Sequence, residues 1–418
     1  MLNKTIIAGS IGTFAEWAEF SFYGYMITQF SHLFFPMLTS GMAILAGFGT
    51  FAVSYLARPL GSILFGYVGD TLGRQKALSS SILLMSVVTL CIGLLPTYQT
   101  IGIFSPILLV LFRFLQGLAV SGEFTGAAIM IIEQNKSRPC FSSSWINTAA
   151  ASAKFIGGFA SIIVSLPFMP GWAWRVPFCL GFLTCFIGFY IRRNLSETAQ
   201  FQQLKTMNQV EHTPIRTVFK SYKKSLFQIA SIGAFIGIFT YTCDLWWVSY
   251  AIQKGYFSEL QAKTLGTIIQ GSVVIFTPLM GMLADYRGGK LIMRLGISGN
   301  IILVPLLFWV STQKSFLAIL AISLFYGVSQ GALSASMFKY FSEIFPTSIR
   351  YTGQAIGWNI ALAIFGGTAP LIAQTLFTND LLYILIAYVM LSGVIALVIN
   401  SPSFTTKNIP EPNFNNGL

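Results

Sequence analysis

"GYVGDTLGRQKAL", residues 66–78, places Asp70, Arg74 and Lys76 between two long apolar runs, and "GMLADYRGGKLIM", residues 281–293, echoes it. Asp70 and Asp285 stand 215 residues apart, and each closes the second apolar run of its half of the chain. "FRFLQG", ending at Gly117, and "FYGVSQG", ending at Gly331, repeat at a similar offset. A charged knot recurring at the same place in two halves is the pattern of parallel repeats. In membranes such repeats form two helical bundles that rock about a central site.

Composition points the same way. The chain has 418 residues, of which 54% are hydrophobic, 15% aromatic and only 9% charged, with a mean hydropathy of +0.70. Soluble domains carry about 25% charged residues, so this chain cannot present an ordinary solvated surface and reads as an integral membrane protein. The five cysteines form no CxxC pair, and His32 and His212 are far apart, so neither a disulfide framework nor a metal cluster is expected. No nucleophile–base pairing and no phosphate-binding loop appears, which argues against an enzyme.

Apolar runs lie near 9–35, 43–68, 78–96, 103–132, 142–169, 174–192, 225–252, 264–284, 291–312, 315–341, 351–377 and 381–400. Each approaches or exceeds the roughly 20 residues that cross hydrocarbon as a helix. The reading is an all-α membrane protein of twelve transmembrane helices. It has an N-terminal six-helix bundle (1–193), a linker loop (194–224), a C-terminal six-helix bundle (225–401) and a short tail (402–418). The first run is long, acidic in its middle and without a convincing cleavage site, so it is expected to remain as a span rather than leave as a signal peptide. Arg74, Lys76, Lys136, Arg138, Arg192, Arg193, Lys205, Arg216, Lys220, Lys223, Lys224, Arg287, Lys290, Arg294 and Arg350 gather in alternate loops. The opposite loops hold little beyond Lys254, Lys263 and Lys314. The positive-inside rule then places both termini in the cytoplasm. The net charge of +12 sits on the inner membrane face, which removes nucleic acid as a partner.

The 66–78 stretch resembles the loop 2–3 motif of the major facilitator superfamily, Gly-x-Leu-x-Asp-(Arg/Lys)-x-Gly-Arg-(Arg/Lys). Gly66, Asp70, Gly73 and Arg74 match it, and Thr71 and Gln75 depart. The second copy keeps Asp285 but lacks the arginine. The resemblance implies the major facilitator fold and a gating role for these five residues, with Asp70 bonding to a neighbouring helix terminus. Further blocks narrow it: "FAEWAEFSFYGY" (14–25), "RFLQGLAVSGEFTGAA" (113–128), "WAWRVPFCLGF" (172–182) and "EIFPTSIRYTGQAIGWNIALAIFGGTAP" (343–370). Together they resemble the metabolite:proton symporters, carriers of proline/betaine, oxoglutarate, citrate or shikimate. Glu19 replaces the usual Asp, Ser121-Gly122 the paired Gly, and Lys154 a small or apolar residue. The tail lacks heptads, so osmotic activation through a coiled coil is not expected.

An ionisable side chain in hydrocarbon is a functional candidate by default. Counting about 1.5 Å per residue, Glu16, Glu19, Arg58, Arg113 and Lys154 fall near one level in the first half. The expected function is proton-coupled import of a small carboxylate-bearing metabolite, or alternatively of a proline/betaine-type zwitterion, or proton-coupled efflux. Arg113 and Lys154 are expected to hold the substrate carboxylate. Glu16, Glu19 or Glu123 carry the proton, and Tyr23, Gln116, Trp145, Trp358 and Asn359 line the cavity. Lys154 is read either as substrate ligand or as permanent partner of Glu16 or Glu19. Asp244 is a candidate outer gate, beside a Trp246-Trp247 pair that reads equally as interfacial belt. No cofactor is expected beyond H+ as coupling ion. The partners are substrate, protons and membrane lipid, and the protein is read as a monomer in the cell membrane, the inner membrane of a bacterium.

Overall fold

Runs without charge, too long to be buried strands, satisfy their own backbone polar groups as helices, the economical solution where no water is available. The computed structural model describes residues 4–164, 166, 168–193, 197–207 and 213–401. Among them no strand occurs, and twelve long helices carry the fold. In chain order they are α1 (Lys4–Tyr25), α2 (Ser40–Thr71), α3 (Arg74–Leu94), α4 (Phe104–Gln134), α5 (Pro139–Val164) and α6 (Arg175–Arg193). The second six are α7 (Lys223–Gln253), α8 (Glu259–Arg287), α9 (Gly289–Thr312), α10 (Phe316–Glu343), α11 (Arg350–Thr378) and α12 (Leu382–Ile399). Ten are long and apolar enough to cross a membrane. The exceptions are α1, which carries Lys4, Glu16 and Glu19, and α6, whose apolar stretch is shorter. Packing keeps both in place, α1 against α5 and α6, and α6 against α3.

Packing partners repeat between the halves. The N-terminal six pair α1 with α5, α2 with α4 and α3 with α6, and the C-terminal six pair α7 with α11, α8 with α10 and α9 with α12. The halves meet chiefly through α5 on α8 and α2 on α11, which exchange under the same relation. Prolines within α2, α8, α9 and α11 are accommodated without ending these helices, as membrane helices allow. Two helices depart from α geometry at their centres. Residues Tyr241–Trp246 of α7 and Leu362–Gly366 of α11 are π-helical, and the stretches touch where Gly366 lies against Tyr241. Such π segments often mark functional sites.

Candidate functional site

The cytoplasmic contacts follow from orphan groups at helix ends. The first N–H groups of a helix have no partner of their own. At the start of α11, those of Tyr351 and Thr352 donate to the Asp70 carboxylate at 3.3 and 2.8 Å. Arg74, first residue of α3, pairs with Asp70 at 2.5 Å and donates to the carbonyls of Gly69 (2.5 Å) and Thr347 (2.8 Å). Both charged side chains are fully buried. The turn between α2 and α3 needs Gly73, whose φ is +118°. Gly66 allows the close approach, since a Cβ there would lie 3.1 Å from the Thr352 Cα.

The repeat builds the second contact. Asp285 accepts from the backbone N–H groups of Cys140 and Phe141 at the start of α5, both at 2.9 Å, and Gly288 (φ +100°) makes the turn that follows. No arginine is needed beside it: Arg287 points to the exterior and Lys290 pairs with Glu343 at 3.4 Å. A third tie, Arg350 to Glu133 at 3.2 Å, joins α11 to α4. The linker adds an element that the sequence did not reveal. Glu197 accepts from the Gln75 N–H at 3.2 Å, and the Phe201 ring lies 5.3 Å from the Arg74 guanidinium. In this structure the bundles are tied together on the cytoplasmic side.

Between the bundles lies a cavity lined by residues of both. Trp17, Phe124, Tyr241, Tyr326 and Trp358 give part of its wall an aromatic face, polar Asn147, Gln270, Gln330 and Ser334 stand beside them, and Lys154 enters it from α5. Phe124 and Trp358 are stacked at 5.7 Å, so one aromatic face spans the two bundles. A second space adjoins it toward the ends of α1 and α7 remote from the cytoplasm, sharing Trp17, Lys154, Thr240 and Tyr241. The Tyr55 and Tyr241 hydroxyls meet across the bundles at its edge. Lys154 Nζ lies 3.8 Å from Asp244 Oδ2 and 5.2 Å from the centre of the Trp17 ring. Asp244, in the π-helical stretch of α7, also accepts from the side-chain amide of Gln270 on α8.

The residues expected at one level are therefore sorted into different places. Lys154 is paired with Asp244 of the other bundle. Arg113 does not reach the cavity. It is fully buried within the N-terminal bundle, 3.3 Å from the centre of the Tyr23 ring, and donates to Gln116 at 2.8 Å, which in turn donates to Thr89 at 3.1 Å. Tyr23 bonds Thr50, so Arg113, Gln116 and Tyr23 form an internal stack rather than a cavity lining. Arg58 is likewise sealed under rings, 4.1 Å from Tyr55 and 5.0 Å from Phe20. Glu16 is buried in α1, within electrostatic reach of Tyr55, and does not line the cavity. The side chains of Glu19 and Glu123 lie outside the described residues, as does the tail 402–418.

Trp358 lines the cavity, but its neighbour Asn359 bonds the Ser121 carbonyl at 2.9 Å and so joins α11 to α4 instead. Trp145 faces a lateral apolar depression beside Phe14 and Ile187. Trp246 and Trp247 are not an interfacial belt. Both are buried, and their indole N–H groups donate to Gln374 and Ser311, each at 2.9 Å. Sequence reasoning passed over Trp17, Tyr241, Asn147 and Gln270. The available signal was polar side chains inside the apolar runs of α5 and α8: Asn147 donates to the Ser334 carbonyl at 2.8 Å, across the bundles.

A sequence profile described as Major Facilitator Superfamily matches residues 5–370. The chain is 31% identical over 429 residues to the glycine betaine/proline/ectoine/pipecolic acid transporter OusA of Dickeya dadantii (strain 3937), covering 98% of this chain and 84% of that protein. It is 30% identical over 425 residues to the proline/betaine transporter of Escherichia coli (strain K12), covering 98% and 85%. In fold it is similar to the proton:xylose symporter XylE bound to 6-bromo-6-deoxy-D-glucose, with a TM-score of 0.76 at 16% identity over 94% of each chain.

Proposed function

The chain belongs to the Major Facilitator Superfamily, a multi-pass membrane transporter and not an enzyme, and we propose that it imports a betaine- or proline-type zwitterion together with protons. The observation that carries this reading is the aromatic wall of the inter-bundle cavity. Faces of Trp, Tyr and Phe attract quaternary ammonium groups through their quadrupoles, by about 0.5–2 kcal/mol each, and they bury the methyl groups at the same time. Lys154 supplies the charge for the carboxylate end. The names of the relatives support the same class of substrate. The expectation of a simple carboxylate gives way accordingly. Arg113 is sealed away from the cavity, and Asp244 places an anion where a plain organic acid would meet repulsion.

Transport follows by alternating access. Substrate enters from outside when the Tyr55–Tyr241 and Lys154–Asp244 contacts part, and leaves to the cytoplasm when the Asp70 and Asp285 ties part. Glu16, Glu19 or Glu123, carboxylates on α1 and α4, take up the coupled proton, and no other cofactor takes part. The test is uptake by proteoliposomes of glycine betaine, proline and a panel of organic acids, with and without an inward proton gradient. The expected result is gradient-driven accumulation of a zwitterion that a protonophore abolishes. Accumulation of organic acids with no zwitterion uptake would overturn the assignment.

A further inference from the structure

Among the described residues lining the two spaces, Lys154 and Asp244 are the charged side chains, and they stand on opposite bundles. Their separation of 3.8 Å is that of an ion pair without a close hydrogen bond. Each already has a second neighbour suited to its charge. The Gln270 amide donates to Asp244, and the face of Trp17 lies 5.2 Å from the Lys154 ammonium. Lys154 borders both spaces, so a molecule in the central cavity reaches it directly, while Asp244 borders the outer one. With the Tyr55–Tyr241 contact, the pair thus closes the outer end of the substrate cavity and must break when the bundles separate there.

We propose that the substrate replaces this pair charge for charge: its carboxylate takes over Lys154, and its cationic head takes over Asp244 beside the aromatic wall. The inference rests on the zwitterion reading and adds an admission rule to it. A buried charge that loses its partner is strongly penalised. A zwitterion supplies both counter-charges at once and leaves the charge of the site unchanged. A cation alone strands Lys154, and an anion alone strands Asp244. Specificity then comes from the penalty on half-matched ligands as much as from attraction to the right one. Asp244 becomes a ligand for the cationic head, and the pair couples substrate occupancy to opening of the outer contact.

Three probes of similar shape separate these roles: glycine betaine, choline as the cation alone, and tert-butylacetate, the carbon isostere of betaine, as the anion alone. Binding is read by quenching of tryptophan fluorescence and by competition in proteoliposome uptake, for wild type, Lys154→Met, Asp244→Asn and the double variant. The wild type is expected to bind betaine and to exclude the other two. Each single variant should bind betaine about tenfold or more weakly, the scale of a lost charge-assisted bond. Lys154→Met should admit choline, and Asp244→Asn should admit tert-butylacetate. If a single variant does not fold, the double variant decides, because it buries no unpaired charge. Its preference for betaine over both analogues should collapse. Retention of the wild-type ranking in the variants would overturn the exchange and leave the pair as a brace, with the zwitterion assignment intact. A wild type that binds no zwitterion would overturn both.

Discussion

Asp70→Asn gives the sharpest test of the cytoplasmic contact. Asparagine keeps a carbonyl that can accept from Thr352 but loses the charge facing Arg74 and the α11 terminus. A charge at a helix N-terminus contributes about 0.3–1 kcal/mol, and up to about 2 when partly buried. Removing one partner of a buried ion pair costs about 3–5 kcal/mol. Arg74 retains the carbonyls of Gly69 and Thr347, which places the loss at the lower end, about 3 kcal/mol. Opening exposes Arg74 to water, so the penalty falls on the closed form alone. The closed-to-open ratio should therefore fall about 150-fold. The assay is cytoplasmic thiol labelling, in inverted vesicles, of a single cysteine at Asn147 in a cysteine-free background. Labelling should accelerate strongly, transport should collapse, and membrane abundance should stay close to wild type. A labelling rate within about twofold of wild type, with transport preserved, would refute the reasoning, because no shift of the equilibrium would have occurred.

Three further outcomes are expected. Gly66→Val should reproduce the Asp70→Asn phenotype without touching a charge, because its side chain would press on the α11 backbone at Thr352; normal transport would show that the close approach is dispensable. Cysteines placed near Lys205 should react only with reagents on the cytoplasmic side and those near Gln99 only from outside, and the reverse pattern would invert the orientation drawn from the basic loops. Glu123→Gln should abolish gradient-driven accumulation yet preserve substrate exchange across equilibrated membranes, whereas full gradient-driven uptake would remove Glu123 from the coupling step.

The cytoplasmic ties were legible because their determinants are local. A carboxylate at the last turn of an apolar run, a glycine that makes the turn, and a repeat of both 215 residues on are all linear features. The second copy lacks the arginine of the first. The structure gives this absence a simple reason: Asp285 meets two backbone N–H groups in a half-exposed position, whereas Asp70 is fully buried and needs a counter-charge as well. The number of helices was legible for the same reason, since hydropathy is a one-dimensional signal. That α1 and α6 fall short of it while still filling places in the bundle is a tertiary effect, set by their contacts with α5 and α3.

The assignment of charges to partners was not legible, and the reason is geometric. Residue counting gives depth along a helix but not the direction in which a side chain points. Arg113 and Lys154 share a level, yet one turns into the N-terminal bundle to lie on Tyr23 and the other turns toward α7. Depth itself is distorted by tilt, since membrane helices lean by about 20° on average. Counting places Asp244 about 10 Å further along its helix than Lys154 along its own, yet the two are in contact. The pair also joins different halves, so no spacing within one repeat could announce it. What the sequence did mark was Lys154 as a departure from its family's pattern. An added cation in a buried position requires an added source of compensation, and the structure supplies it on α7. The direction of inference for such sites follows from that requirement: an unexpected buried charge on one bundle is best read as a search for its counter-charge on the other, because the interface between bundles is where a compensating charge can be both near and removable.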